Sequence, residues 1–244
     1  MTRESILQTL RQALEPLPYV HALWLEGADA QQMVDEYSDF DINVDVEDDH
    51  ADEIFRLVES LFPMDQVWDT GRSDEFLYRV YHIRGTSDYW MLDFNLHLHS
   101  TGRSGSTFYE GDWIDKPLVL FDKSGVVIMN PPRPLRAPDP EWVQDIRFHF
   151  SQAGRVRKYI FRGQFPEAYI YYNKYIIEPL VSLIRMKYTP DKRFYYMVHI
   201  SRHIPADALA RLTALLQNPD LGALSAHLED ALLWYEELTA ELGV

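Results

Sequence analysis

Residues 24–45 constrain the fold more than any other stretch, because two apolar segments there flank a glycine turn and a polar insert. The second segment alternates apolar and polar residues, a pattern typical of a β-strand with one buried face. Successive side chains of a strand point to opposite faces, so Asp39 and Asp41 share one face and the apolar residues beside them share the other. Two carboxylates at the start of a strand predict a site for a hard divalent cation such as Mg2+, which takes oxygen ligands.

A further carboxylate, Asp93, lies in residues 89–99, which alternate in the same way. If this strand neighbours the first one, Asp93 approaches the same ion, or it acts as a general base that takes a proton from an attacking hydroxyl. The alternative is that Asp93 lies on a solvated sheet face. His97 and His99 share its face, so the three residues form an alternative transition-metal site, although histidines that only pack on a sheet are more common.

Strand and helix patterns divide the chain into two predicted domains. The first half mixes helical spacing at 2–15 and 51–61 with extended segments at 20–25, 40–46, 77–84, 89–98 and 119–127. That mixture predicts a small α/β domain. Helical spacing covers 140–162, 165–188, 207–217 and 221–242, and Pro179 is expected to kink or divide the second of these helices. The Pro-rich residues 130–140 continue neither helix nor central strand, so we place the boundary between residues 135 and 136.

Charge is unevenly distributed between these halves. The 244 residues carry a net charge of −15; residues 1–135 hold 25 acidic and 10 basic residues, and residues 136–244 hold 13 of each. This balance argues against nucleic acid or an anionic membrane as a partner. No run of 18 apolar residues predicts a membrane span, and the amphipathic N-terminus predicts a helix instead of a signal peptide. The absence of cysteine fits a cytoplasmic protein, expected as a monomer or homodimer.

The order of apolar strand, Gly27, polar insert, Asp-x-Asp and later carboxylate resembles the DNA polymerase β-type nucleotidyltransferase superfamily. Within it, the chain is most similar to antibiotic adenylyltransferases of the aminoglycoside 6-adenylyltransferase group. Those proteins also have an aromatic residue between the two aspartates, the position of Phe40 in this chain. Their catalytic domain is followed by a helical domain rich in aromatic and basic residues, which residues 148–196 resemble. The resemblance implies an α+β protein, with a small mixed-sheet nucleotidyltransferase domain over 1–135 and an all-α helical bundle over 136–244.

The resemblance also implies an activity, the transfer of AMP from ATP to a hydroxyl of a small acceptor with release of pyrophosphate. Mg2+ is then the cofactor, ATP the co-substrate and antibiotic resistance a possible role. Asp39, Asp41 and Asp93 become metal ligands, and Asp93 is also catalytic. The implied nucleotide contacts are Gly27, Ala28, Ser38, Lys174 and Lys187. The residues expected to face a cationic acceptor, such as an aminoglycoside, are Glu110 and Asp112.

One position departs from the family pattern. The family usually has Ser after the turn glycine, and Ala28 lacks that hydroxyl. A lost hydrogen bond to a charged phosphate costs about 1.5–3 kcal/mol. Two further hypotheses therefore stay open: a nucleotide-binding or regulatory protein of the same fold with impaired catalysis, and a helical interaction protein whose acidic domain binds cations. The glycines of residues 101–107 lack the lysine of a P-loop, so they predict a flexible loop.

Overall fold

The computed structural model describes residues 1–73, 76–102, 104–111, 116–134 and 139–244. Contacts between residues divide the chain into two compact units, residues 1–133 and 134–244. The boundary predicted between residues 135 and 136 lies outside the described residues. Among the helices of the described ranges, none is long and apolar enough to cross a membrane.

The N-terminal unit contains both helices and strands. Its helices are α1 (Arg3–Leu14), α2 (Gly27–Ala30) and α3 (Ala51–Leu61). Its strands are β1 (Val20–Leu25), β2 (Phe40–Val46), β3 (Met64–Arg72), β4 (Phe76–Ile83), β5 (Met91–Leu98), β6 (Thr107–Tyr109), β7 (Leu118–Asp122) and β8 (Ile128–Asn130). Short 3-10 turns lie at Asp48–His50, His99–Thr101 and Ser104–Ser106.

Six of the strands form one mixed sheet in the order β3-β4-β5-β2-β1-β7. β2 and β5 are parallel neighbours, and the remaining neighbours are antiparallel. The sequence did not predict β3, because that segment lacks apolar alternation. β3 lies at the edge of the sheet, where Val67 and Trp68 remain exposed, so its pairing with β4 forms without a buried face of its own.

Helices α1 and α3 supply side chains to the apolar core on one face of this sheet. Ile6 from α1 and Ile54 from α3 belong to one buried cluster with Ile42 and Val44 of β2. The apolar alternation predicted for β2 is therefore confirmed. Thr2 begins α1 with a capping box, since its hydroxyl accepts from Ser5 N–H at 3.2 Å. The polar side chains of β2 and β5 consequently lie on the opposite face of the sheet.

The extended segment predicted at 119–127 is wrong in its second half. β7 ends at Asp122, whose carboxylate accepts backbone N–H groups from Ser124 at 3.2 Å, Val126 at 3.1 Å and Val127 at 3.0 Å. These bonds close a loop, because an Asp side chain offers the backbone an alternative to the sheet ladder. β8 begins after the loop and pairs with β6 in a separate two-stranded parallel sheet.

The C-terminal unit is helical in its described residues. Its helices are α4 (Pro140–Ser151), α5 (Ala153–Phe161), α6 (Phe165–Tyr172), α7 (Glu178–Tyr188), α8 (Ile200–His203), α9 (Ala206–Leu216) and α10 (Leu221–Leu242). A helix predicted to run through 140–162 is divided at Gln152. A π-helical turn at Asn173–Ile177 precedes Pro179 and accommodates a residue that cannot donate a helical hydrogen bond. The mixed sheet and this helical unit confirm the predicted α+β class.

Candidate active site

Two neighbouring strands present carboxylates side by side. In the parallel pair of β2 and β5, Asp41 lies directly opposite Asp93. Asp39 immediately precedes β2, two residues before Asp41 and so on the same face. One ligand oxygen from each of the three residues lies within 4.8 Å of the others. The structure therefore brings together the three aspartates that the sequence singled out.

The electrostatics of this group favour a bound cation. Burial, together with the charges of Asp39 and Asp93, raises the pKa of the Asp41 carboxyl to about 7. Burial also raises the pKa of Asp93, as does the charge of Asp39. Carboxylates held this close disfavour the ionised form of one another. A donor set of three carboxylate oxygens with unbalanced negative charge fits a hard divalent cation such as Mg2+.

Tyr78 contacts the aspartate group, and the sequence did not reveal this contact. It lies on β4 opposite Asn95, and its hydroxyl donates a hydrogen bond to Asp93. Burial, together with the charge of Asp93, raises the pKa of Tyr78 to about 12, so the hydroxyl stays protonated and remains a donor. The same bond counteracts the rise in the pKa of Asp93. Alternation on β4 indicated the face of Tyr78, but only the sheet order places it beside Asp93.

The glycine turn after β1 lies against the carboxylates. Gly27 has a φ of +56°, and a Cβ there would stand 1.8 Å from Oδ2 of Asp41. Both the backbone conformation and the space thus require glycine. Glu26 N–H donates to the carbonyl of Asp41 at 3.0 Å, and the Glu26 carboxylate accepts from Nε1 of Trp24 at 3.0 Å. Burial raises the pKa of Glu26. Ala28 lies in α2, the short helix that Gly27 begins.

Arg3 was also missed by the sequence analysis, and it pairs with Asp29 of α2. The guanidinium forms an ion pair with Asp29, in which both side chains are mostly buried. It also donates to the carbonyl of Ser38 at 2.7 Å and stacks 3.8 Å from the ring centre of Phe40. The negative charge of Asp29 beside the turn is therefore compensated. The Ser38 hydroxyl donates to Asp35 at 2.9 Å, within the loop before β2.

The other residues predicted to contact the nucleotide or the acceptor differ in their exposure and partners. Lys174 is exposed, whereas Lys187 is ion-paired with Glu241 of α10. Glu110 is exposed in the turn after β6. Asp112 lies outside the described residues. The binding roles assigned to these residues remain predictions.

The alternative metal site at His97, His99 and Asp93 does not form. His97 is half-buried beside Asn43, with Nε2 at 2.9 Å from the amide oxygen, and burial lowers its pKa to about 4. His99 bonds instead to Asp45 through Nδ1 at 2.6 Å. His97 is thus a histidine that packs on the sheet. Within the described part of the chain, the ligand groups include His99 but not His97.

No protein-family model and no curated protein sequence matches the chain. Among solved structures, it is similar to an aminoglycoside 6-adenyltransferase from Bacillus subtilis, with 11% identity over 99% of this chain and 90% of that chain and a TM-score of 0.39. It is also similar to a spectinomycin adenyltransferase from Enterococcus faecialis, solved with ATP and spectinomycin, with 11% identity over 100% of both chains and a TM-score of 0.34. A third is JHP933 from Helicobacter pylori, with 13% identity over 98% of this chain and 92% of that chain and a TM-score of 0.30. The first two of these solved structures are adenyltransferases.

Proposed function

We propose that this chain is a Mg2+-dependent nucleotidyltransferase that transfers AMP from ATP to a hydroxyl group of a small cationic acceptor. The observation that carries the proposal is the convergence of Asp39, Asp41 and Asp93 beside the Gly27 turn. Three carboxylates at the accessible start of two central strands form the ligand set that nucleotide transfer needs for its metal ion. Asp39 is exposed and the other two are half-buried, so the group is open to a ligand on one side.

The chemistry of the proposed reaction assigns Asp93 as the base. The acceptor oxygen forms a bond to the α-phosphorus of ATP, and the bond from that phosphorus to the oxygen bridging to the β-phosphate breaks. Pyrophosphate leaves with the electron pair of the broken bond, and the acceptor proton passes to a carboxylate oxygen of Asp93. Tyr78 holds Asp93 by its hydrogen bond and favours the ionised form that can take this proton.

Mg2+ would be held by Asp39, Asp41 and Asp93. When bound, it neutralises charge on the phosphates and so makes the α-phosphorus easier to attack. The raised pKa of Asp41 supports this assignment, because a divalent cation relieves the repulsion that burial intensifies. We further propose that Gly27, Ala28, Ser38, Lys174 and Lys187 contact the nucleotide.

The acceptor is proposed to be cationic, such as an aminoglycoside. Residues 1–135 carry an excess of 15 negative charges, which attracts polycations and raises their local concentration. Glu110 and Asp112 are the proposed acceptor contacts, and Glu110 is exposed as such a role requires.

The test is pyrophosphate release from ATP and Mg2+ with a panel of aminoglycosides and a neutral polyol control. The wild-type chain should release pyrophosphate only with an acceptor, and EDTA should abolish the signal. Asp93→Asn should reduce kcat about 100- to 10,000-fold, the usual contribution of a general base. Asp49→Asn is the matched control, because it removes one negative charge at an exposed position of the same unit.

The outcome separates this function from a regulatory, nucleotide-binding protein of the same fold. Ala28 favours that second candidate, because the turn lacks a side-chain hydroxyl. If ATP with Mg2+ raises the melting temperature but no acceptor releases pyrophosphate, the regulatory function replaces the catalytic one. If neither ATP nor Mg2+ shifts the melting temperature, the catalytic and the regulatory function are both wrong.

A further inference from the structure

Three other metal-ligating side chains come together at the far end of the same sheet face. His21 lies on β1, Glu47 follows β2 and His99 follows β5, and one ligand atom of each lies within 4.8 Å of the others. We call these residues the His–Glu–His group. Strands rise about 3.3 Å per residue, so Asp45, the β2 residue that bonds to His99, lies about 13 Å along the strand from Asp41.

A β-bulge directs His21 to this face. Val20 pairs with Val46 and Ala22 pairs with Asp45, so His21 is an extra residue opposite β2. Bulges re-aim the side chain at the extra position. Val20 therefore belongs to the core under α1 and α3, while His21 joins the polar face.

In both histidines a neighbouring polar group bonds to Nδ1, which leaves Nε2 as the nitrogen that can face an ion. His99 bonds through Nδ1 to Asp45 at 2.6 Å, and Asp45 is only 2% exposed. A carboxylate that accepts from one ring nitrogen makes the other, Nε2, the nitrogen available to an ion and increases its basicity. His21 likewise bonds through Nδ1 to the hydroxyl of Ser124 at 2.7 Å. Its Nε2 then lies 2.9 Å from the carboxylate of Glu47.

Only side-chain movements separate this arrangement from a coordinated ion. Ligands about 2.0–2.1 Å from one tetrahedral Zn2+ lie about 3.3 Å apart. An ion can thus take the place of the hydrogen bond between His21 and Glu47 once Nε2 and the carboxylate oxygen move slightly apart. His99 stacks on His21, with ring centres 3.7 Å apart and planes at 14°, so it rotates out of the stack to turn its nitrogen to the ion. The Glu47 side chain is 50% exposed and free to adjust.

We propose that His21, Glu47 and His99 bind one transition-metal ion of the zinc type, with water completing the coordination. Two imidazole nitrogens and one carboxylate suit Zn2+, whereas Mg2+ prefers oxygen ligands alone. The ion joins β1, the end of β2 and the end of β5, and it stabilises the sheet at the end remote from the aspartates. This site stands independently of the nucleotidyltransferase proposal.

The test is a titration of the full chain, stripped with EDTA and dialysed, with Co2+ and then Zn2+ in excess Mg2+. One equivalent of Co2+ should bind and give the visible absorption typical of a site with low coordination number and nitrogen and oxygen ligands. Zn2+ should displace the bound Co2+, whereas Mg2+ should not. Zn2+ should also raise the melting temperature. His99→Gln and His21→Gln should each weaken binding more than 100-fold, and Asp45→Asn should weaken it about 10- to 100-fold.

Two control variants locate the ion. His50→Ala removes a histidine from the same unit that is partly exposed and paired with Glu53, and it should bind Co2+ as the wild type does. Asp41→Asn should also keep the Co2+ spectrum. Loss of the spectrum in Asp41→Asn, or wild-type affinity in His99→Gln, would overturn the proposal. If the histidine variants do not fold, the half-exposed Glu47→Gln serves in their place, and wild-type affinity in that variant also overturns the site.

Discussion

Substitution of Asp41 by Asn removes a charge from the aspartate group while keeping the size of the side chain. The pKa of Asp41 rises from 3.8 to about 7 in the fold, through burial and the charges of Asp39 and Asp93. A shift of about three pKa units corresponds to about 4 kcal/mol of unfavourable free energy for the ionised form. The Asn amide must also lose water, so we expect Asp41→Asn to stabilise the metal-free protein by about 2 kcal/mol at pH 8.

The expected gain depends on pH, with a sign that follows from the raised pKa. The folded-state pKa of Asp41 lies above the unfolded value, so ionisation destabilises the folded protein. The penalty is absent below about pH 4, grows between pH 4 and pH 7, and is complete above pH 7. The advantage of Asp41→Asn should therefore disappear as the pH falls to 4.

The assay is urea denaturation in EDTA at pH 4, 6 and 8, followed by tryptophan fluorescence. Asp49→Asn, an exposed charge in the same unit, should change the free energy of unfolding by less than about 0.5 kcal/mol. Mg2+ at one hundred times its Kd should stabilise the wild type by about 2.7 kcal/mol and Asp41→Asn by much less. Equal stability of Asp41→Asn and wild type at pH 8, with both folded, would refute the electrostatic description of the site.

Two other substitutions test its geometry and its base. Gly27→Ala should lower the free energy of unfolding, measured by urea denaturation, by about 3 kcal/mol or more, because the new Cβ meets Asp41. Gly85→Ala, at a φ of +80° with open space around it, should lower it by only about 1 kcal/mol. Equal losses in the two variants would show that only backbone strain matters. Tyr78→Phe removes a hydrogen bond that lowers the pKa of Asp93, so the acidic limb of the pH profile of kcat/KM should move to higher pH. The activity should fall about tenfold at pH 6, and the loss should shrink toward pH 9. An unshifted profile would remove Tyr78 from its positioning role.

Local pattern was enough to predict most elements of the N-terminal unit. Strands at 20–25 and 40–46 and a helix at 51–61 follow from alternation and helical spacing, and the structure has the same bounds. The spacing of Asp39 and Asp41 also determines their shared face, because side-chain alternation is a property of a single strand. β3 escaped prediction, since an edge strand needs no buried face to be paired.

The partners of these elements came only from the tertiary structure. The register that sets Asp41 beside Asp93 joins two strands far apart in sequence, and it depends on which strand packs next to which. The same holds for Arg3, which reaches Asp29 from α1, and for Tyr78 on β4. Each contact depends on the packing of separate elements, and no local pattern encodes it.

The histidines show the same division between sequence and structure. Because His97 and His99 share one strand face, the sequence suggested that both could bind the same metal ion. Pairing of β5 with β2 instead sets His97 against Asn43, and the bulge in β1 gives His99 a different neighbour, His21. The sequence alone determined the two aspartates of one strand, their shared face and the apolar core behind them. Sheet order and register, which follow from the competition of all strands for partners, decided which side chains meet across the sheet.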